Sequence, residues 1–430
     1  MNPMFARIVA AMGAGALGQV ISIVIQVASL PLYLLHWDAN RYGTWLMLSA
    51  VPAYLLMADV GMVATAGNRM TMEMARGRPD HANRIFHSAT VFMLTVCGVA
   101  GALATVILLS GWTPLPVDQT LALWLLMLSV LAALFTGLSE AAFKATGRYA
   151  LGTSLGHMIR LAEWLGGLIG LLVVGSFPAV ALGGLLARLG GLALIMSLAT
   201  RQQARLSWGA AQARRSDVLD MVRPAMSFMV FPLSNALTFQ GATLLVGHVF
   251  GPALVTVFNA HRTLARVAVQ VTSVFSNAIW AEFSRLYGTG HRDALASLYG
   301  RSLRSGIVVC TGFSAVLYLV APWLIQIWTH GRISIQPALL ACLLVYAAVA
   351  GIWNVPRVLL MACNQHMGLA PWFLALSSAM LVLAYGLAHA VGLSGVALAM
   401  LVAEGVIAAI CLQQASELMR NPAWQEASHA

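Results

Sequence analysis

The feature that leaves this 430-residue chain the fewest choices is a rhythm of long apolar runs. They fall at roughly 8–35, 43–66, 87–110, 120–143, 151–175, 179–199, 226–249, 253–281, 305–329, 337–362, 369–389 and 395–418. Wound as an α-helix, a run of about 20 apolar residues crosses the hydrocarbon core of a bilayer. Composition agrees, with 60% of residues apolar and 9% charged, against roughly 25% charged in a soluble protein. So few charges could not cover a water-facing surface. That excludes a soluble globular enzyme, a disordered chain and a nucleic-acid-binding domain in water. The chain is read as an all-α polytopic membrane protein with about twelve transmembrane helices. The first run continues to Leu35, too long for the apolar stretch of a secretory signal. The boundary between 151–175 and 179–199 rests only on Ser176-Phe177-Pro178.

The net charge of +10 is distributed unevenly. One alternating set of loops and ends holds seventeen of the 24 Lys+Arg, including Arg69, Arg76, Arg78, Arg84, Lys144, Arg148, Arg214, Arg215, Arg292 and Arg301. The other set holds only Arg41 and Arg332. Basic residues collect in cytoplasmic loops, so both termini are expected in the cytoplasm. The longest loops, about 201–225 and 282–304, would lie there too. Cys97, Cys310, Cys342, Cys363 and Cys411 are dispersed and form no CxxC pair. They read as apolar packing residues. No metal or cofactor is expected.

Twelve spans divide as six plus six around a basic linker. The domains are read as residues 1–200, a linker at 201–225, and 226–430 with a cytoplasmic tail. An offset of 212 residues aligns Ser22 with Ser234, His36 with His248 and Thr44 with Thr256. Six helices per half means that both halves enter from the same side, as parallel repeats.

The remaining five basic residues, Arg160, Arg188, Arg262, Arg266 and Arg357, lie inside spans, joined there by Asp59, Glu140, Glu163 and Glu404. Each costs about 2.5–3.5 kcal/mol at the bilayer centre, so those near a helix centre should face protein or water. Asn259, Arg262, Arg266, Gln270, Ser273 and Asn277 follow at steps of 3, 4, 4, 3 and 4. Those steps place all six on one helical face, about 27 Å long. Such a face either lines a hydrated cavity or forms a buried polar seam satisfied by neighbouring helices. Gly15, Gln19, Ser22, Gln26 and Ser29 form a gentler face, read as either close helix packing or cavity lining. Ser234, Asn235, Thr238 and Gln240 leave the same choice. Arg357 follows Asn354 and Pro356, so a kink beside a charge is expected. Arg160 and Glu163, three residues apart, are expected to pair. Asp59 and Glu404 are candidate proton carriers, with capping or packing as the alternative. His261 is a candidate titrating group or a packing residue. The central face carries arginines and no acid, and a guanidinium fork suits phosphate oxygens. An anionic, phosphate-bearing cargo is therefore expected.

A run of short motifs is familiar in its order: Pro31-Leu32-Tyr33-Leu34, Tyr42-Gly43-Thr44-Trp45-Leu46 and Asp59-Val60-Gly61 with Asn68. It continues in Gly147-Arg148-Tyr149-Ala150-Leu151-Gly152, then Arg223-Pro224-Ala225, Phe231-Pro232, Gln240-Gly241 and Gly251-Pro252. The longest matches are Phe258 to Arg266 and Trp280 with Glu282 to Gly288, followed by Trp353-Asn354 and Asn364-Gln365-His366. On these residues the chain resembles the polysaccharide-transport branch of the multidrug/oligosaccharidyl-lipid/polysaccharide (MOP) exporter superfamily, the O-antigen-type flippases. Ala281 stands where that family would lead one to expect a proline. The resemblance implies two pseudo-symmetric six-helix bundles in a MATE-like V, and alternating access. It implies a polyprenyl-diphosphate-linked oligosaccharide moved from the inner to the outer leaflet of a bacterial inner membrane. It also implies coupling to a proton or sodium gradient. The expected partners are this lipid, the surrounding membrane lipids and other polysaccharide-assembly proteins, with no nucleic acid.

Arg262, Arg266, Asn259, Gln270, Arg357, Gln26 and Gln240 are the candidate cargo-binding residues. Asp59, Glu404 and His261 are the candidates for ion coupling. One rival is a multidrug cation antiporter of the same fold, in which acids would dominate the cavity. Another is a membrane glycan polymerase, ligase or acyltransferase. Against that rival, the external loops are short and no nucleophile–base pair, metal-ligand cluster or Gly-rich phosphate loop is found.

Overall fold

The computed structural model describes residues 3–111, 114–202, 206–288, 290–363 and 367–420. The segment Asn364-Gln365-His366 and the side chains of Ser273, Asn277, Arg223 and Trp280 lie outside the described residues.

The fold is all-α. The helices are α1 (Pro3–His36), α2 (Ala39–Ala50), α3 (Met62–Ala75), α4 (Pro79–Leu109), α5 (Val117–Ala145), α6 (Tyr149–Val173) and α7 (Phe177–Gln202). They continue as α8 (Arg215–Ala236), α9 (Ala242–Phe250), α10 (Pro252–Gly288), α11 (Arg292–Trp328), α12 (Pro337–Ala362), α13 (Ala370–Val391) and α14 (Leu393–Arg420). Two spans are interrupted. A 3-10 turn, Pro52–Asp59, joins α2 to α3, and a π turn, Leu237–Gly241, joins α8 to α9. Among the described residues fourteen helices thus make twelve passes.

Among the described residues eleven of these passes are long and apolar enough to cross a membrane. The twelfth, α10, has the length at 37 residues. Its hydropathy is lowered by Asn259, His261, Arg262 and Arg266, which mark it as the polar helix of the set.

The break in the second span has a local cause. Pro52 opens the 3-10 turn, and Val60 and Gly61 both take left-handed backbone, with φ of 51° and 79°. Left-handed φ strains a β-branched residue. The Asp59 carboxylate holds the site by accepting from the N–H groups of Gly61 at 3.0 Å and Val63 at 3.4 Å.

The chain forms two compact units. The first is Met1–Trp37 with Trp45–Leu233; the second is Asp38–Thr44 with Ser234–Ala430. The short segment belongs to the second unit because Thr256 Oγ1 donates to the Ala39 carbonyl at 2.7 Å. Gly43 also lies so close to Pro252 that a Cβ there would collide with its backbone. In the first unit α5 is the hub, packed against α3, α4, α6 and α7. In the second the hub is α12, packed against α10, α11 and α14. These are the fourth and tenth passes, the same place in each run of six.

The insecure boundary at 176–178 is a tight helical hairpin. Gly175 turns the chain with φ of 73°, and its carbonyl accepts from Trp37 Nε1 at 2.7 Å. A Cβ on Gly166 of α6 would strike the Gly183 carbonyl of α7; one on Gly183 would strike that of Gly166, and one on Gly170 that of Ala179. Without water to drive association, small residues that let backbones touch are what hold helices together in lipid.

Two expectations are corrected. The long loop expected at 282–304 is mostly helix, because α10 runs on to Gly288 and α11 begins at Arg292. Polar residues there end the hydropathic run but not the helix. The linker after α7 is also shorter than expected, since α8 starts at Arg215, and it is clamped to α4. His87, 5% exposed, donates from Nε2 to the Ser207 carbonyl at 2.9 Å and accepts at Nδ1 from the Gln212 N–H at 3.2 Å. Asn83 Oδ1 accepts from the Ser207 N–H at 2.8 Å, and Arg84 pairs with Asp217 at 3.0 Å.

Candidate functional site

The polar face of α10 divides its two arginines between different tasks. Arg262 is 7% exposed and turned into the second unit. It donates from Nη1 to the Phe239 carbonyl at 2.8 Å, and from Nη2 to Thr243 Oγ1 and Asn259 Oδ1, both at 3.0 Å. Its guanidinium also lies over the Phe239 and Phe258 rings, 5.9 and 5.2 Å from their centroids. The Phe239 carbonyl belongs to the π turn, where wider winding disturbs the regular ladder. Arg262 therefore ties α10 to that turn, and Asn259 completes the tie. Arg262 and Asn259 form a satisfied seam.

Arg266, one turn further along α10, is exposed. It sits roughly 21 Å from the helix start at 1.5 Å per residue, well inside a span. Its guanidinium lies over the same Phe239 ring, 5.2 Å from the centroid. Gln270 is half-buried on the next turn, and Gln240 is half-buried within the π turn. Gln26, on α1, belongs to the first unit.

Facing α10 is α12, whose Tyr346 is 6% exposed and lies within electrostatic reach of Arg262, Arg266 and Glu404. Trp353 Nε1 donates to Glu404 Oε1 of α14 at 2.7 Å. Arg357 lies over the Trp353 ring at 5.5 Å and donates to Asn354 Oδ1 from Nε at 3.1 Å and Nη2 at 2.5 Å. The buried Nδ2 of Asn354 has no partner among the described residues. The helix runs on through Pro356 to Ala362. Tyr346, Trp353 and Arg357 thus form a polar and aromatic stripe on the hub helix, ending on an acid from α14.

The other candidates are engaged locally. Asp59 caps the start of α3. His261 is fully buried; Nδ1 donates to the Val257 carbonyl at 2.8 Å and Nε2 accepts from the Gln336 N–H at 2.9 Å. Both ring nitrogens are used, which fixes the neutral tautomer and fastens α10 to the start of α12.

The expected Arg160–Glu163 pair does not form. Glu163 accepts from Arg188 of α7 and from Ser129 of α5, whereas Arg160 donates to Ser22 of α1 at 3.3 Å. The two residues share a helix face, but each finds a nearer partner on a different neighbour. Ser29 likewise accepts from Trp164 Nε1 at 2.9 Å, and Gly18 lies against the His157 ring. Ser22 and Ser29 therefore serve close packing of α1 on α6. Glu140 rests against Gly156, where a Cβ would strike its carboxylate.

Sequence reasoning missed Phe239 and Tyr346. Phe239 lies amid Thr238 and Gln240, and its ring gave no polar signal. Tyr346 stands seven residues before Trp353 and eleven before Arg357, a spacing that puts the three on one helical face.

No family model and no curated protein sequence matches the chain. Solved structures do. One is the inward-facing conformation of a multidrug resistance MATE family transporter of the MOP superfamily, with a TM-score of 0.70 and 13% identity over 94% of this chain and 99% of that one. An outward-facing conformation of such a transporter gives 0.65 and 12%, covering 97% of both chains. A MOP superfamily transporter from Pyrococcus furiosus, described as having a binding pocket of reverse polarity that suggests a different function, gives 0.60 and 13% over 94% of this chain and 96% of that one. Identities this low speak for the fold alone, and the fold is that of the MATE transporters of the MOP superfamily.

Proposed function

We propose that the chain is an alternating-access exporter of an anionic lipid-linked glycan. The cargo is a polyprenyl-diphosphate-linked oligosaccharide, moved from the inner to the outer leaflet of a bacterial inner membrane. The observation that carries the reading is Arg266, an exposed arginine roughly 21 Å along α10. A cation facing lipid at that depth is prohibitive, so it faces water or a ligand. Its planar donor fork matches a diphosphate. The arginine bias of the loops supports cytoplasmic termini. The protein moves its cargo without covalent chemistry, in contact with membrane lipids and with the proteins that assemble the glycan.

The solved neighbours favour a second reading, multidrug antiport, because two of them are structures of multidrug resistance transporters. The charge on α10 favours the first, since an organic cation would be repelled by Arg266. The neighbour with a pocket of reverse polarity offers a precedent within the fold for a departure from the usual cargo. Binding to the detergent-purified protein decides between them. A polyprenyl-diphosphate oligosaccharide should bind, and Arg266→Ala should weaken it at least tenfold, the loss of roughly 1.5–3 kcal/mol for a charged hydrogen bond. Binding of organic cations in its place would favour the antiporter.

Among the ion-coupling candidates Glu404 fits best, because Asp59 and His261 have structural work to do. If Glu404 couples export to protons, collapsing the proton gradient slows wild-type export and leaves Glu404→Gln insensitive. Equal sensitivity in both proteins would exclude it.

A further inference from the structure

A cavity of about 390 Å³ lies in the first unit, between the first two turns of α4 and the linker that leads into α8. Its volume falls within the roughly 300–1,000 Å³ of small-ligand pockets. Asp80, His81 and Arg84 of α4 line it, opposite Gln212 and Arg214 of the linker. Most of these polar groups are engaged. Arg84 pairs with Asp217 at 3.0 Å, His81 lies 4.0 Å from Glu73, and Gln212 Oε1 accepts from Asn83 Nδ2 at 3.2 Å. The side chains of Asp80 and Arg214 are exposed and have no hydrogen bond or ion pair among the described residues. Only the Arg214 backbone is held, its N–H donating to Ser88 Oγ at 3.0 Å. With the Ser207 N–H on Asn83 and the Gln212 N–H on His87, this fixes the linker against α4 at three points. Opposite charges thus line one cavity on a fixed frame without closing on each other, which leaves room for a ligand that carries both.

Depth narrows the choice of ligand. The apolar run of this pass begins near residue 87. Arg84 and Asp80 precede it by three and seven residues, at most about 5 and 10 Å along the helix. The headgroup layer adds about 5–7 Å to each side of the hydrocarbon. The cavity therefore spans the level of lipid headgroups and the water just beyond them. We infer that it binds an aminophosphate zwitterion, of the kind that heads phosphatidylethanolamine, with the phosphate on Arg214 and the ammonium on Asp80. The ammonium donates to the carboxylate, and the phosphate oxygens accept from the guanidinium. A purely anionic headgroup would gain Arg214 but be repelled by Asp80. A choline headgroup would keep both charges and bring no N–H donor to the carboxylate. The occupant ties α4 to the linker, so its binding stabilises the folded protein by mass action. Neither Arg266 nor the identity of the cargo enters into this site.

The test is titration of the full-length protein in detergent with short-chain lipids, read by native mass spectrometry and by the shift in melting temperature. Dihexanoyl phosphatidylethanolamine should bind at least threefold more tightly than the matching phosphatidylglycerol or phosphatidylcholine. Asp80→Asn should erase that preference. Arg214→Ala should weaken all three lipids roughly three- to fivefold, the scale of an exposed ion pair. Arg215→Ala removes a neighbouring exposed charge that does not line the cavity, and should bind like wild type. Free phosphoethanolamine is titrated alongside. Weaker binding than the lipid assigns the site to the membrane, and equal binding assigns it to a soluble aminophosphate; either result upholds the site. Equal affinity of wild type for the three lipids, a preference that survives Asp80→Asn, or wild-type binding by Arg214→Ala would each overturn the inference. So would an equal loss in Arg215→Ala and Arg214→Ala, which would show general attraction to basic surface.

Discussion

At the scale of single residues, a charge inside a membrane is best judged by where its hydrogen bonds go. Arg262 and Arg266 are four positions apart on one helix face and look equivalent as letters. Arg262 spends its donors on Phe239, Thr243 and Asn259. Removing it takes a charged donor from Thr243 and Asn259, while the Phe239 carbonyl keeps the bond from Thr243 Oγ1 at 2.9 Å. Arg262→Ala is expected to destabilise the purified protein by about 2 kcal/mol or more, seen as a lower melting temperature in detergent. Arg266→Ala should lose less stability than Arg262→Ala and lose ligand binding instead. The reverse pattern would mean that the two roles have been exchanged. The sequence could place both arginines on a polar face, yet it could not divide them, because the division depends on a π turn twenty-odd residues upstream. Glu163 shows the same limit: Arg160 is adjacent by helical spacing, but Arg188 approaches from α7 and takes the carboxylate.

At the scale of elements, helix association is set by how closely two backbones can approach. The α6–α7 hairpin is the clearest case, with Gly166 and Gly183 in backbone contact across the interface. Gly183→Leu should push the helices apart and destabilise the first unit by at least the roughly 1–3 kcal/mol of an overpacked core. Thermal unfolding of the purified variant measures it. A melting temperature equal to wild type would show that the contact contributes nothing. The existence and order of the passes were legible because a bilayer demands about 20 apolar residues per crossing. The ends of helices were not. Residues 282–304 are polar enough to leave the membrane, yet α10 and α11 stay helical to Gly288 and from Arg292. Hydropathy reports the solvent around a helix and not where its hydrogen bonds stop. The 3-10 and π interruptions escaped notice for a related reason: they change the winding but not the apolarity.

At the scale of the whole molecule, the fold is shared with transporters at 12–13% identity. What survives such divergence is the fold. In each unit the fourth of six passes, α5 or α12, takes the centre. Polarity is then free to vary on that frame. In this chain it places arginine on α10 and an aromatic and polar stripe on α12 that ends at Glu404. The central claim is that this frame carries an anionic lipid-linked glycan past Arg266. The most direct measurement is transbilayer movement of a fluorescent polyprenyl-diphosphate oligosaccharide in liposomes containing the purified protein, with Arg266→Ala alongside. Movement by wild type and its loss in Arg266→Ala is the predicted result. No movement of this lipid by wild type, together with proton-coupled efflux of organic cations, would contradict it.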